Sequence, residues 1–131
     1  MDYAKLVVPD SPLALQGSYL SMWSAESTKF TVSASSSANF TISIPNDGMR
    51  YFLYCVDIEP WSTPLYFIQV FAGGNRIAAG VSNGGYVHFD FNLRYVFLTY
   101  GQSFVVRVSN LTTSAQTFGV FCRGFTYASW V

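Results

Sequence analysis

Hydrophobic positions recur along this chain with a period of two. Residues 28–34 place Phe30, Val32 and Ala34 on one face, and residues 40–44 place Phe40, Ile42 and Ile44 on one face with Thr41 and Ser43 opposite. Such alternation is the mark of a strand with one side in the core and the other in water. Residues 49–56 (MRYFLYCV) and 65–71 (LYFIQVF) are nearly continuous apolar runs rich in β-branched and aromatic side chains, which predicts strands buried on both faces. Further short strands are predicted over 77–81, 86–91, 95–99, 103–109 and 118–125. Between the runs stand Asn46-Asp47-Gly48, Gly73-Gly74-Asn75 and Asn83-Gly84-Gly85, each suited to a tight turn that needs positive φ. No amphipathic stripe persists for three helical turns, so the helix expected is a single turn around residues 91–94.

Some nine or ten short strands predict an all-β, single-domain antiparallel β-sandwich. The count suits a jelly roll, with an immunoglobulin-like sandwich as the alternative. The first residues behave differently, because Pro9 and Pro12 interrupt the apolar stretch at 5–8 and neither can pair inside a central strand. This predicts an extended N-terminal arm over residues 1–16, followed by a sandwich domain over 17–131. Residues 59–64 (EPWSTP) form a loop stiffened by two prolines, with Trp61 between them. The stretch 125–131 (FTYASWV) is too aromatic for a solvated tail and is expected to pack on its own sheet or on a neighbour.

Composition narrows the functional classes. Seven Lys+Arg against seven Asp+Glu give a formal net charge of zero, so no basic field exists to collect nucleic acid or an anionic membrane. No run approaches the roughly 18 apolar residues of a membrane helix, and the opening residues lack a signal-peptide core. Charged residues make up 11% of the chain, against about 25% in an average soluble domain, while apolar residues reach 50% and aromatics 18%. A folded monomer of this mass exposes roughly 6,900 Å², which leaves each charge about 500 Å² of surface. So thin an ionic coat predicts that much of the surface is covered by other chains.

Candidate chemistry is sparse. His88, the one histidine, shares a strand face with Asp90, but no glycine-flanked serine elbow accompanies the pair, and a structural or surface role is expected. Asp57 and Glu59 lie two apart beside the Pro-Trp loop, a spacing open to paired-carboxylate chemistry yet common in strands. Cys55 and Cys122 read as buried free thiols, with an inter-strand disulfide as the alternative. The motifs Asn39-Phe40-Thr41 and Asn110-Leu111-Thr112 match the N-glycosylation pattern by composition alone. Nucleotide-binding glycine patterns and metal-ligand spacings are absent, so no catalytic, cofactor or metal residue is assigned and no enzyme is expected. Exposed aromatics remain as a handle, because sugar rings stack on flat faces. Trp61, Trp23 and Trp130 are the candidates, with Tyr86 and Tyr100 behind them.

The stretch from Gly101 through Phe104-Val105-Val106-Arg107-Val108, Asn110-Leu111-Thr112-Thr113 and Phe118-Gly119-Val120-Phe121 resembles the closing hairpin of small β-sandwich domains in virion structural proteins. With the arm and the low charge, the likeness is greatest to single jelly-roll decoration, or cement, proteins of viral capsids. That resemblance implies a non-enzymatic subunit of a virion that binds junctions of a larger protein shell, such as a major capsid protein, and associates with itself, as a trimer for preference. It implies no cofactor. The contact elements expected are the arm (Tyr3, Leu6, Val7, Val8, Leu13), Trp61 in its loop, and Tyr127 and Trp130 near the end. The alternative is a carbohydrate- or receptor-binding sandwich in which the same loops present Trp61 and tyrosines to a glycan.

Overall fold

The computed structural model describes residues 2–4, 8–15, 18–91 and 96–129. Among them the regular elements are all strands: β1 (Asp2–Ala4), β2 (Val8–Leu15), β3 (Ser18–Val32), β4 (Ser37–Ser43), β5 (Arg50–Pro60), β6 (Leu65–Ala72), β7 (Asn75–Asn83), β8 (Val87–Asp90), β9 (Phe97–Leu98), β10 (Ser103–Asn110) and β11 (Gln116–Ser129). The helical turn expected around 91–94 lies outside the described residues apart from Phe91, which is buried.

The strands form two sheets, ordered β1-β4-β10-β6-β7 and β2-β3-β11-β5-β8, with β9 also pairing β5. Every pairing is antiparallel except that of β1 with β4. The chain crosses between sheets at β3–β4, β4–β5 and β5–β6, stays in one sheet for the β6–β7 hairpin, and returns to the other at β8. This is the jelly-roll order. It excludes the immunoglobulin-like alternative, whose last two strands pair with each other, because β10 and β11 lie in opposite sheets. Of the segment expected as an arm, residues 2–4 and 8–15 are strands that each take a sheet edge, β1 beside β4 and β2 beside β3. Pro9 and Pro12 fall on edge strand β2, where the register shifts between them, a place where a missing N–H breaks no central ladder.

The core is the gap between the sheets, filled by the alternating inner face of each strand. Phe40 and Ile42 of β4, Tyr66, Ile68 and Val70 of β6, and Phe104, Val106 and Val108 of β10 face Trp23 and Phe30 of β3, Tyr51, Val56 and Ile58 of β5, and Phe118 and Val120 of β11. Aromatic pairs bridge the layers: Trp23 stacks on Phe104 with centroids 6.0 Å apart, and Tyr66 tilts against Phe118 at 5.0 Å. Two expectations need correction. β5 and β6 bury one face, not two, and their other faces carry half-exposed aromatics. Trp23, counted among candidate sugar platforms, is fully buried and donates its indole N–H to the Phe52 carbonyl at 3.0 Å.

One polar residue organises the end of the sandwich near β10. Asn110 is 1% exposed and fully bonded: Nδ2 donates to Val32 O (3.0 Å) and Ser114 O (2.7 Å), while Oδ1 accepts from Thr112 N (2.9 Å) and the Thr112 hydroxyl (2.7 Å). A buried amide with every bond made ties the end of β3 to the β10–β11 turn.

Candidate functional site

The outer face of the β2-β3-β11-β5-β8 sheet holds the densest group of exposed chemistry. Cross-strand register sets Glu26, Phe121, Asp57 and His88 in one row across β3, β11, β5 and β8. The next row along β5 and β11 pairs Glu59 with Gly119. Here the β3–β11 register shifts, so that residues 28 and 29 of β3 stand opposite the single Gly119. A bulge of this kind re-aims side chains. Lys29 is turned over the Trp61 ring, its Nζ 5.5 Å from the centroid.

Two loops complete the site. Trp61 follows β5, and its backbone N–H donates to Thr117 O at 3.0 Å, which pins the Pro60–Pro64 loop to β11. The turn between β7 and β8 is fastened by Gly85, whose N–H donates to the Ser82 hydroxyl (3.0 Å) and whose carbonyl accepts from Ser82 and Tyr66. Gly84, at φ +99°, lies against Thr63, where a Cβ would come within 3.0 Å of the threonine Cβ. Close approach of the two loops therefore requires glycine there. Trp61 and Tyr86 are held beside one groove, 60% and 61% exposed. The groove has a volume of about 500 Å³ and is lined by Glu26, Asp57, Glu59, Trp61, Tyr86 and Phe121, with Gly119 and Val120 among the backbone it opens over.

Asp57 is the hub of the hydrogen bonding. Its Oδ1 accepts from the Tyr86 hydroxyl and is bonded by His88 Nδ1. The bond to Asp57 raises the Tyr86 phenol to about 12, because losing that proton would set a second negative charge beside the carboxylate. His88 thus bonds its cross-strand neighbour Asp57. Adjacent strands bring side chains closer than the two-residue step along one strand does. Nearby, Cys55 points out of the sheet under Arg123, its register partner, and Cys122 points into the core; both thiols are free and buried. Burial raises the Cys55 pKa, partly offset by the Arg123 hydrogen bond and charge, and burial raises that of Cys122 further.

A second feature of the same face is an aromatic ladder. Register aligns Met22, Phe125, Phe52 and Phe97 in one row. Phe52 and Phe125 stack nearly parallel, with centroids 4.6 Å apart, Phe97 lies 5.6 Å from Phe52, and Arg50 sits over Phe97 at 5.1 Å. Met22 and Phe97, at the ends, are 37% and 45% exposed.

Of the residues singled out in the sequence, Trp61 lines the groove and Tyr127 is half-buried in β11 between Leu20 and Arg50. The backbones of Tyr3, Val8 and Leu13 pair opposite Phe40, Ser24 and Leu20, while Leu6, Val7 and Trp130 lie outside the described residues. Glu26 and Phe121 join the groove without having been singled out, since only the register of β3 against β11 brings them to Asp57. Among the described residues, no group of three or more His, Cys, Asp and Glu is placed to hold a metal ion, and no helix is long and apolar enough to cross a membrane.

No protein-family model matches the chain, and no curated protein matches it in sequence. Solved structures do match in shape. PirA aligns with a TM-score of 0.51 at 14% identity, over 74% of this chain and 92% of that one. The mitogen YPM of Yersinia pseudotuberculosis gives 0.49 at 12% identity over 76% and 83%, and a de novo designed double-stranded β-helix gives 0.41 at 22% over 74% and 96%. The likeness to PirA at such identity is one of fold.

Proposed function

We propose that this jelly roll is a non-enzymatic assembly subunit, which associates with its own copies and stabilises a larger protein shell in the manner of a capsid decoration or minor capsid protein of a virion. The observation that carries the proposal is the ladder of Met22, Phe125, Phe52 and Phe97 standing on the outside of a finished sandwich. The core is already filled by other aromatics, so folding alone gives no reason to place four more large apolar side chains in a row on the solvent side. Sparse charge supports the same view. Seven cations and seven anions are spread over 7121 Å² of accessible surface, and many large apolar side chains, Val81, Tyr100, Leu65 and Leu111 among them, stand exposed. Burying a standard interface takes about 800 Å² from each partner, and each apolar square ångström removed from water contributes about 25 cal/mol before the cost of association. Aromatic rings that are already stacked lose little side-chain freedom on docking, which makes the ladder an economical centre for such a contact.

Light scattering at micromolar concentration tests this. The wild-type chain is expected as a discrete oligomer, with a trimer favoured, and the double variant Met22→Ser/Phe97→Ser is expected to shift toward monomer while keeping its circular dichroism and urea midpoint. A monodisperse wild-type monomer would refute the proposal.

A further inference from the structure

We propose that the groove between the Trp61 loop and the β7–β8 turn is a carbohydrate-binding site that takes a short, uncharged oligosaccharide. Trp61 and Tyr86, about three-fifths exposed, flank a space of about 500 Å³, within the roughly 300–1,000 Å³ typical of small-ligand sites. Neither ring packs in the core, yet each is tethered: Trp61 through its backbone N–H on Thr117 O and through Lys29 over its ring, and Tyr86 through its hydroxyl on Asp57. Rigid aromatic faces with polar groups beside them suit a ligand that has both an apolar face and a rim of hydroxyls, and a pyranose ring has that shape and chemistry.

The polar lining points the same way. Asp57, Glu26 and Glu59 supply carboxylate acceptors for sugar hydroxyls, and Asp57 is held in one orientation by Tyr86 and His88. Hydrogen bonds to a charged acceptor are about twice as strong as neutral ones, which matters for a ligand that leaves water to enter. Three of the seven acids of the chain line this one groove, so uronic or sialic acids, nucleic acids and other anions are repelled. Lys29 over Trp61 and Arg123 over Phe121, 5.5 and 5.6 Å from the ring centroids, place two cations beside three carboxylates, so the excess that repels anions is a single negative charge and not a trap for cations. The carboxylates equally disfavour a lipid tail. The ladder of the assembly proposal is a separate row of the sheet, so the two proposals fail independently.

Titration of the full chain with cellohexaose, maltohexaose, mannohexaose and chitohexaose, with hexagalacturonic acid as the charged control, tests the site by ligand-observed NMR; a neutral-glycan array covers sugars beyond these four. Binding of at least one neutral oligosaccharide is expected, weakened about tenfold or more by Trp61→Ala and by Tyr86→Ala. Trp61→Ala is expected to keep the wild-type urea midpoint, and Tyr86→Ala, which gives up the bond to Asp57, to lower it while staying folded under the binding conditions; both are expected to keep the wild-type oligomer mass, which separates loss of sugar from loss of fold or of assembly. Silence from every neutral glycan would overturn the inference. So would binding that survives both variants, or equal binding of hexagalacturonic acid.

Discussion

Gly124 of β11 offers a sharp test of how the sandwich is locked. Its Cα faces the core at the point where the β5–β11 register shifts and the Trp23 indole crosses to the Phe52 carbonyl. A Cβ added at Gly124 would lie 1.8 Å from Phe52 O and 2.5 Å from Cε2 and Cζ2 of Trp23. None of these is the free end of a flexible side chain. Relieving the overlap means moving the β5 backbone or tilting a buried indole that also packs on Tyr51 and Phe104. Overpacking typically costs about 1–3 kcal/mol, and breaking the indole bond in a buried site about 1–3 kcal/mol more. Gly124→Ala is therefore expected to destabilise the fold by about 3–5 kcal/mol, a large share of the roughly 5–15 kcal/mol that holds a domain together. Gly74→Ala is the control, because Gly74 has positive φ (+89°) and nothing within 4 Å of its would-be Cβ, so only backbone strain of about 1–2 kcal/mol applies. Urea unfolding followed by far-ultraviolet circular dichroism measures both. A Gly124→Ala midpoint equal to or above that of Gly74→Ala would show that the close approach of β5, β11 and Trp23 is not as described.

Two further outcomes follow from the described bonds. Asn110→Leu removes the amide's bonds at the end of β10 and takes from the buried Val32 carbonyl and the part-buried Thr112 N–H their Asn110 partner, at a cost of about 2–4 kcal/mol in the same unfolding assay; a change below about 0.5 kcal/mol would count against the network. Tyr86 has its pKa raised from 10.0 to about 12 through Asp57, so between those values the folded state holds a proton that the unfolded state has lost. Stability from this group is complete below pH 10.0 and fades as pH rises toward 12, and Asp57→Asn is expected to bring phenolate formation at Tyr86 to lower pH in an absorbance titration. No change in that titration would sever the link to Asp57.

Strand identity was readable wherever one face is apolar and the other polar, as in Phe40, Ile42 and Ile44 against Thr41 and Ser43. It misled where the solvent face is itself aromatic: Phe52 and Tyr54 look like a second buried side of β5, and only the register shows them outside. The first half of β3 escaped notice because Ser24, Glu26 and Ser27 dilute the apolar alternation of Trp23 and Ala25. In the groove, Trp61 stood out through its flanking prolines and Asp57 with Glu59 through their spacing. Glu26 and Phe121 gave no local signal, since what unites them with Asp57 is a pairing between strands from opposite ends of the chain. The bond between His88 and Asp57 gave no local signal either, since it too spans two strands.

That pairing has a kinetic consequence. β11, from the far end of the described chain, is inserted between β3 and β5, with Ser129 opposite Ser18. During synthesis the sheet therefore waits for its central strand until residues 116–129 have left the ribosome. Loop closure of such span is slow, with folding times of milliseconds to seconds for sandwiches of this topology, and the unpaired flanks of β3 and β5 stay open to wrong partners meanwhile. Crowded nascent chains of the same sequence are the neighbours most able to fill that vacancy, so productive yield should fall as expression rate climbs.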